Sequence, residues 1–198
     1  MLSAIVAAHD SERMLVRTLA ALVPGATSGV LREVIVADDE SSDATEEVAD
    51  IAGCRFLASG EPLGKRLKAA AATARSPWLL FLRAGAVPGE NWIAAVESFI
   101  ATAERLNRAN RAGTFRRDGY AGSERPGFGD MFALLRLMLG GGARPECGLL
   151  IGRRFYDSLG GHPHGNDAEA ALLRRIGRRC MALLPCALSP PNWPILNT

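Results

Sequence analysis

The stretch Val34-Ile-Val-Ala-Asp-Asp-Glu-Ser-Ser-Asp43 carries the clearest fold signal in this chain. Val34–Ala37 is a short, β-branched, wholly apolar run of the kind that forms a strand buried on both faces. Four carboxylates follow within six residues, Asp38, Asp39, Glu40 and Asp43. In an open parallel sheet ligands bind beyond the carboxyl ends of the strands, so this acidic group lies where a site is expected. Like charges at that density need hydrogen-bond donors or a cation close by. Capping a helix from about Ala44 to Ala52 accounts for Ser42 and Asp43, because side-chain oxygens satisfy free amides and acids suit a helix N-terminus. It leaves Asp38 and Asp39 without a structural task.

The same grammar repeats on both sides. Leu2–Ala8 is another apolar run, followed by His9-Asp10-Ser11-Glu12 and by helical spacing over Met14–Leu22, after which Pro24-Gly25 and Ser28-Gly29 break the chain. Cys54–Ala58 reads as a third strand, and Gly60–Gly64 turns into a helix whose alanine run ends near Arg75. Trp78–Leu82 is a strongly apolar fourth strand, ending in Arg83-Ala84-Gly85, and Asn91–Leu106 is an amphipathic helix. Single strands alternating with helices predict an α/β fold, a Rossmann-like, mostly parallel sheet flanked by helices in a single domain. Asn107–Asp130 lacks hydrophobic period and reads as a flexible segment. Beyond it, Met131–Leu139 and Ala168–Arg179 read as helices and Cys147–Gly152 as a strand. Met181–Leu184 is a last apolar piece before Pro185 and an irregular, Pro-rich terminus.

Composition agrees with one folded unit. The chain has 198 residues and 21.1 kDa, 48% hydrophobic and 22% charged, enough to bury roughly 70% of its unfolded surface. That composition excludes a disordered tail, and scattered Gly and Pro exclude collagen-like repeats. No apolar stretch approaches the ~20 residues of a membrane span, and Met1–Ala8 has no cationic leader, so a cytoplasmic protein is expected. Cys54, Cys147, Cys180 and Cys186 lack metal or disulfide spacing and read as core thiols in a reducing compartment. Residues 1–50 hold ten carboxylates against three basic side chains, whereas residues 51–198 hold eleven against twenty, nearly all arginine. Arg105, Arg108, Arg111, Arg116 and Arg117, with Arg174, Arg175, Arg178 and Arg179, form solvated faces or a peripheral contact with an anionic membrane surface. Aromatics make up only 6% and are not interleaved with basic residues, which argues against nucleic acid as a partner.

Five blocks, taken in order, resemble family 2 glycosyltransferases of the short bacterial type: Ile5-Val-Ala-Ala-His-Asp-Ser-Glu, Val36-Ala-Asp-Asp-Glu-Ser-Ser-Asp-Ala-Thr, Gly64-Lys-Arg-Leu-Lys-Ala-Ala-Ala, Trp78-Leu-Leu-Phe-Leu-Arg-Ala-Gly-Ala-Val-Pro, and Gly160-Gly-His-Pro-His-Gly-Asn-Asp-Ala-Glu-Ala-Ala-Leu-Leu-Arg-Arg. The resemblance implies a GT-A fold that binds a nucleoside-diphosphate sugar and transfers the sugar, with inversion, to an acceptor hydroxyl on a glycan or lipid-linked molecule. Residues 1–106 then form the nucleotide-binding half and 131–198 the acceptor-side half. Nucleotide contacts fall to Ala8, Asp10, Asp38 and Asp39, with Asp39 accepting the imide N–H of uracil or an equivalent base hydrogen. Lys65 and Arg66, at a helix start, meet the diphosphate. Asp167 is the candidate general base, removing the acceptor proton; capping of the late helix is its structural alternative. Glu169 reads as compensation of the helix dipole, and His162 and His164 as surface-loop residues.

One departure stands out. The family places Asp-x-Asp after the fourth strand, where two carboxylates hold a divalent ion against the diphosphate. Here Arg83-Ala84-Gly85 occupies that place, which argues against a conventional magnesium or manganese site and makes Arg83 a direct diphosphate ligand. A second departure is Lys68, where relatives often show Asn. Two other classes compete: a degenerate nucleotide-sugar-binding or assembly module, and a nucleotidyltransferase. The latter expects a Gly-rich loop after the first strand, where His9-Asp10-Ser11-Glu12 stands. Gly60-x3-Gly64-Lys65-Arg66 is one residue short of a P-loop and lacks its Ser/Thr, and no GxGxxG follows the first strand.

Overall fold

A computed structural model describes residues 1–106, 110–117 and 144–190. The elements in chain order are β1 (Leu2–Ala8), α1 (Glu12–Thr27), β2 (Leu31–Asp38), α2 (Thr45–Ile51), β3 (Arg55–Ala58), α3 (Leu63–Thr73), β4 (Trp78–Arg83), β5 (Val87–Pro88), α4 (Trp92–Arg105) and β6 (Ala112–Arg117). A 3₁₀ turn (Pro145–Cys147), β7 (Leu149–Gly152), α5 (Arg153–Ser158), α6 (Ala168–Ile176) and β8 (Met181–Ser189) complete it. The strands form one sheet in the order β3-β2-β1-β4-β7-β6-β8-β5. β1 is parallel to β2 and β4, β2 to β3, and β6 to β8, whereas β7 runs antiparallel to β4 and β6, and β5 to β8. The predicted α/β class, a mostly parallel sheet flanked by helices, is the observed one.

β1 is buried on both faces because helices cover both sides of the sheet. Ala4 and Val6 point into a cluster with Leu15, Leu22, Trp92 and Val96 from α1 and α4. Ile5 points the other way, into a cluster with Leu67, Ala71, Tyr156 and Leu172 from α3, α5 and α6. Because the strand order runs outward from β1 to β3 and then returns to β4 on the other side of β1, the topological switch point lies between β1 and β4, where Ala7 faces Arg83 in register.

Three expectations are corrected. α1 does not end before Pro24 but runs on to Thr27. The Trp92 indole closes over that turn and donates to the Ala21 carbonyl at 3.1 Å. A Cβ at Gly25 would stand 2.4 Å from the ring, so this glycine makes room for packing rather than ending a helix. Within the stretch read as flexible, Ala112–Arg117 is β6, placed between β7 and β8; 107–109 and 118–143, which include the expected Met131–Leu139 helix, lie outside the described residues. β8 continues through Pro185 to Ser189 because the β6–β8 register shifts between Thr114 and Arg116, so the ladder does not require an N–H from Pro185.

Candidate active site

The loops leaving β1 and β2 are tied together by their own acidic residues. Asp38 is only 1% exposed: its carboxylate accepts the Ser41 N–H at 2.7 Å and the Ser41 hydroxyl at 2.5 Å. Ser41 Oγ in turn accepts the Asp10 N–H at 2.8 Å, and Asp10 Oδ1 accepts the N–H (2.8 Å) and hydroxyl (3.2 Å) of Ser42. Asp10 can do this because its backbone sits in the left-handed region, φ 42°. Asp43 accepts the Glu12 N–H and the Thr45 N–H, both at 3.0 Å, so one carboxylate serves the first turns of α1 and α2. Burial pushes the Asp43 pKa up, but the Thr45 hydroxyl and these backbone N–H groups outweigh it and hold the pKa below the usual value. Asp38, Asp10 and Asp43 are therefore internal struts of the loop pair.

Asp39 differs. Its Oδ2 meets Arg66 Nη2 at 2.9 Å, and its side chain is 39% exposed, with no hydrogen bond to Oδ1 among the described residues. Arg66 is buried; its Nε donates to the Glu61 carbonyl at 2.9 Å and its Nη1 to the Ala37 carbonyl at 3.2 Å. Of the basic pair at the start of α3, only Lys65 faces solvent, bound to Glu61 at 2.8 Å. Ala8 is buried beneath this edge, its carbonyl accepting the Asp39 N–H at 3.0 Å.

At the end of β4, Arg83 donates through Nε to Glu169 Oε2 at 2.9 Å, with a second, shorter bond from Nη2. The Arg83 side chain is 40% exposed and Glu169 only 11%. Burial weakens the protonated form of Arg83, yet the Glu169 bond and charge, with Glu146 adding to them, raise its pKa. Glu169 lines a small open concavity of about 10 Å³, room for about one water, together with Phe81, Arg144, Leu149, His162 and Leu173. Asp167, two residues earlier, occupies the N-cap position of α6 without bonding its amides; its carboxylate points outward to Arg174 at 2.8 Å. Neither Asp39 nor Asp167 lines the concavity.

His162 corrects the surface-loop reading, whereas His164 is exposed as expected. The His162 ring is edge-on to Phe81, and its Nδ1 lies 2.8 Å from the Tyr156 hydroxyl. That hydroxyl also accepts the His162 backbone N–H at 3.1 Å. Burial lowers the His162 pKa to about 4. The unfolded chain binds a proton here below about pH 6.5 and the folded chain does not until about pH 4, so stability falls as pH drops through that window, by about 3 kcal/mol in all. Urea titrations at successive pH values are expected to show this slope in the native protein and a flatter one in His162→Gln.

The remaining candidates are quickly placed. All four cysteines are free; Cys147 and Cys186 are buried in the core, Cys54 and Cys180 only partly buried, and burial pushes the Cys54 thiol up to about 11. Arg111, Arg174 and Arg175 are engaged within the chain, with Arg179 O, Asp167 and Leu159 O. No helix among the described residues is long and apolar enough to cross a membrane.

One sheet covered by helices on both faces, with acidic loops after β1 and β2 and a basic residue at the end of β4, defines a GT-A type of fold. The model of the family "Glycosyl transferase family 2" matches residues 3–139, and the chain belongs to that family. Among curated proteins, no sequence matches it. Solved structures share the fold at low identity. Glucosyl-3-phosphoglycerate synthase from Mycobacterium tuberculosis, in complex with Mn2+, UDP and glucosyl-3-phosphoglycerate, is 21% identical, with TM-score 0.71, covering 98% of this chain and 73% of that one. Staphylococcus aureus TarS 1–349 is 16% identical, with TM-score 0.67, covering 96% of this chain and 60% of the other.

The mycobacterial enzyme carries Mn2+ or Mg2+ beside UDP. The residues at the end of β4 here do not fit such an ion. Arg83 presents a cation, Ala84 is a buried apolar residue, and Gly85 uses its N–H on Thr18 Oγ1 at 2.8 Å. Among the described residues no group of three His, Cys, Asp or Glu is arranged to hold a metal.

Proposed function

We propose that this glycosyltransferase moves a hexosyl group from a nucleoside-diphosphate sugar to an acceptor hydroxyl with inversion at the anomeric carbon. The observation that carries the reading is Asp39: one oxygen is fixed by buried Arg66 while the other stands open at the carboxyl edge of the sheet. A carboxylate held that way accepts an imide N–H such as that of uracil, above Ala8 and beside the Asp10 loop. The diphosphate then extends over the switch point toward Arg83, with Lys65 on the open side. Arg66 serves the base end by orienting Asp39, since each of its three nitrogens is engaged within the chain.

The acceptor proton needs a carboxylate within hydrogen-bond reach. Glu169 faces the concavity and is better placed than Asp167, which is turned to solvent and held by Arg174. The acceptor therefore approaches over the concavity, between α6 and the 3₁₀ turn. Calorimetry with UDP is expected to show binding that Asp39→Asn weakens by about tenfold or more, the worth of one charge-assisted hydrogen bond; equal affinity of the two proteins overturns the reading. The closed Arg83–Glu169 pair also suits a module that binds donor without transferring sugar. Slow release of glucose from UDP-glucose by the native protein separates the two.

A further inference from the structure

We propose that the Arg83–Glu169 ion pair is an exchangeable latch: the donor diphosphate takes Arg83 in place of a divalent cation and so releases Glu169 to the acceptor. The inference rests on the functional reading above and adds to it a cation-independent donor site coupled to the base.

The two partners are unequal. Arg83 is the more exposed and stands at the carboxyl end of β4, while Glu169 is nearly buried and belongs to α6 and the concavity. A long guanidinium side chain can turn outward to a phosphate; the carboxylate, packed on the first turn of α6, stays where it is. Arg is also suited to the exchange, because its planar fork binds carboxylate and phosphate in the same two-pronged geometry. A diphosphate carries more negative charge than one carboxylate, so it wins the guanidinium when it is present.

What Arg83 leaves behind is a carboxylate in a poorly solvated place without its counter-ion. Before donor binds, the pair keeps that carboxylate neutralised and idle. With donor bound, the acceptor oxygen bonds to the anomeric carbon as the bond from that carbon to the β-phosphate oxygen breaks. The electron pair stays with the departing nucleoside diphosphate, whose added charge Arg83 meets, and the acceptor proton passes to Glu169. The ion pair thus orders the reaction: donor first, base second.

The test is calorimetry in EDTA with uridine and UDP as separate probes. UDP is expected to bind the native protein in EDTA, with less than about a twofold change on adding Mn2+ or Mg2+. Arg83→Gln is expected to weaken UDP by about tenfold or more while leaving uridine unchanged, and Arg83→Lys to recover part of the loss. Glu169→Gln distinguishes exchange from a static bridge: it should bind UDP several-fold more tightly, because the diphosphate no longer competes for Arg83, and should lose turnover of UDP-glucose. The inference is overturned if Arg83→Gln binds UDP as the native protein does, if Mn2+ raises native affinity by about tenfold, or if Glu169→Gln weakens UDP. Absence of both uridine and UDP binding in the native protein removes the functional reading and this inference with it; uridine binding to which the diphosphate adds nothing removes this inference alone.

Discussion

Arg66→Ala is expected to destabilise the protein by about 3 kcal/mol and to abolish nucleotide binding, although the side chain touches no ligand in the proposed site. Its guanidinium spans three segments: Nε holds the Glu61 carbonyl before α3, Nη1 the Ala37 carbonyl inside β2, and Nη2 the Asp39 carboxylate. Removing it leaves the Glu61 carbonyl and a half-buried charge without these donors, and a small cavity at the sheet edge. Water entering from the Asp39 side recovers part of that loss, which is why the figure stays near the low end for a broken buried ion pair. Asp39 then loses its fixed orientation. Arg66→Lys keeps the charge but not the fork, so denaturation midpoints should fall between those of the native protein and Arg66→Ala. A ligand-only role predicts a different pattern, with nucleotide affinity lost at native stability, and chemical denaturation of the three proteins decides between them.

Gly64→Ala has a sign that two physical effects dispute. Gly64 is in the first turn of α3, and alanine there improves helix propensity by about 1 kcal/mol. Packing opposes it. A Cβ at this position would lie 1.8 Å from the Pro163 carbonyl oxygen and 2.7 Å from Ala168 Cβ, neither of which can swing aside as a long side chain would. The Gly64 N–H also donates to the Gly165 carbonyl at 3.2 Å, so the loop before α6 cannot retreat without breaking that bond. Net destabilisation of about 3 kcal/mol is expected, with α3 and α6 forced apart. Because Glu169 lies in the first turn of α6, the same change should disturb the Arg83–Glu169 pair and the concavity. A Tm at or above the native value would show that helix propensity outweighs the contact.

The strands were legible where apolar runs are short and end in polar residues. Leu2–Ala8, the run inside β2, and Trp78–Leu82 all fall in the observed strands, because a strand covered on both faces must be apolar at every position. β6 is not legible because Ala112-Gly-Thr-Phe-Arg-Arg has little apolar period; Gly113 is needed there because a Cβ would meet the Leu184 side chain at 3.0 Å. His162 departs from the surface-loop expectation for a related reason. Its loop, rich in Gly and Pro, looks exposed, but the Tyr156 hydroxyl and the Phe81 ring come from elements that local sequence does not reveal.

In the site, the sequence read correctly that acidic and basic residues crowd the carboxyl ends of β1, β2 and β4, since strand ends follow from local hydrophobic pattern. It could not say which member of each charged group turns inward. Lys65 and Arg66 are adjacent, and Asp167 and Glu169 are two residues apart at the start of a helix, where successive residues point about 100° away from each other. Which one turns inward depends on what packs against that helix. Family membership and fold class are written in the order of short motifs. The partnership of Arg83 with Glu169, 86 residues later, exists only once the sheet has brought β4 against the first turn of α6, because ion pairing acts through space and leaves no local period in the chain.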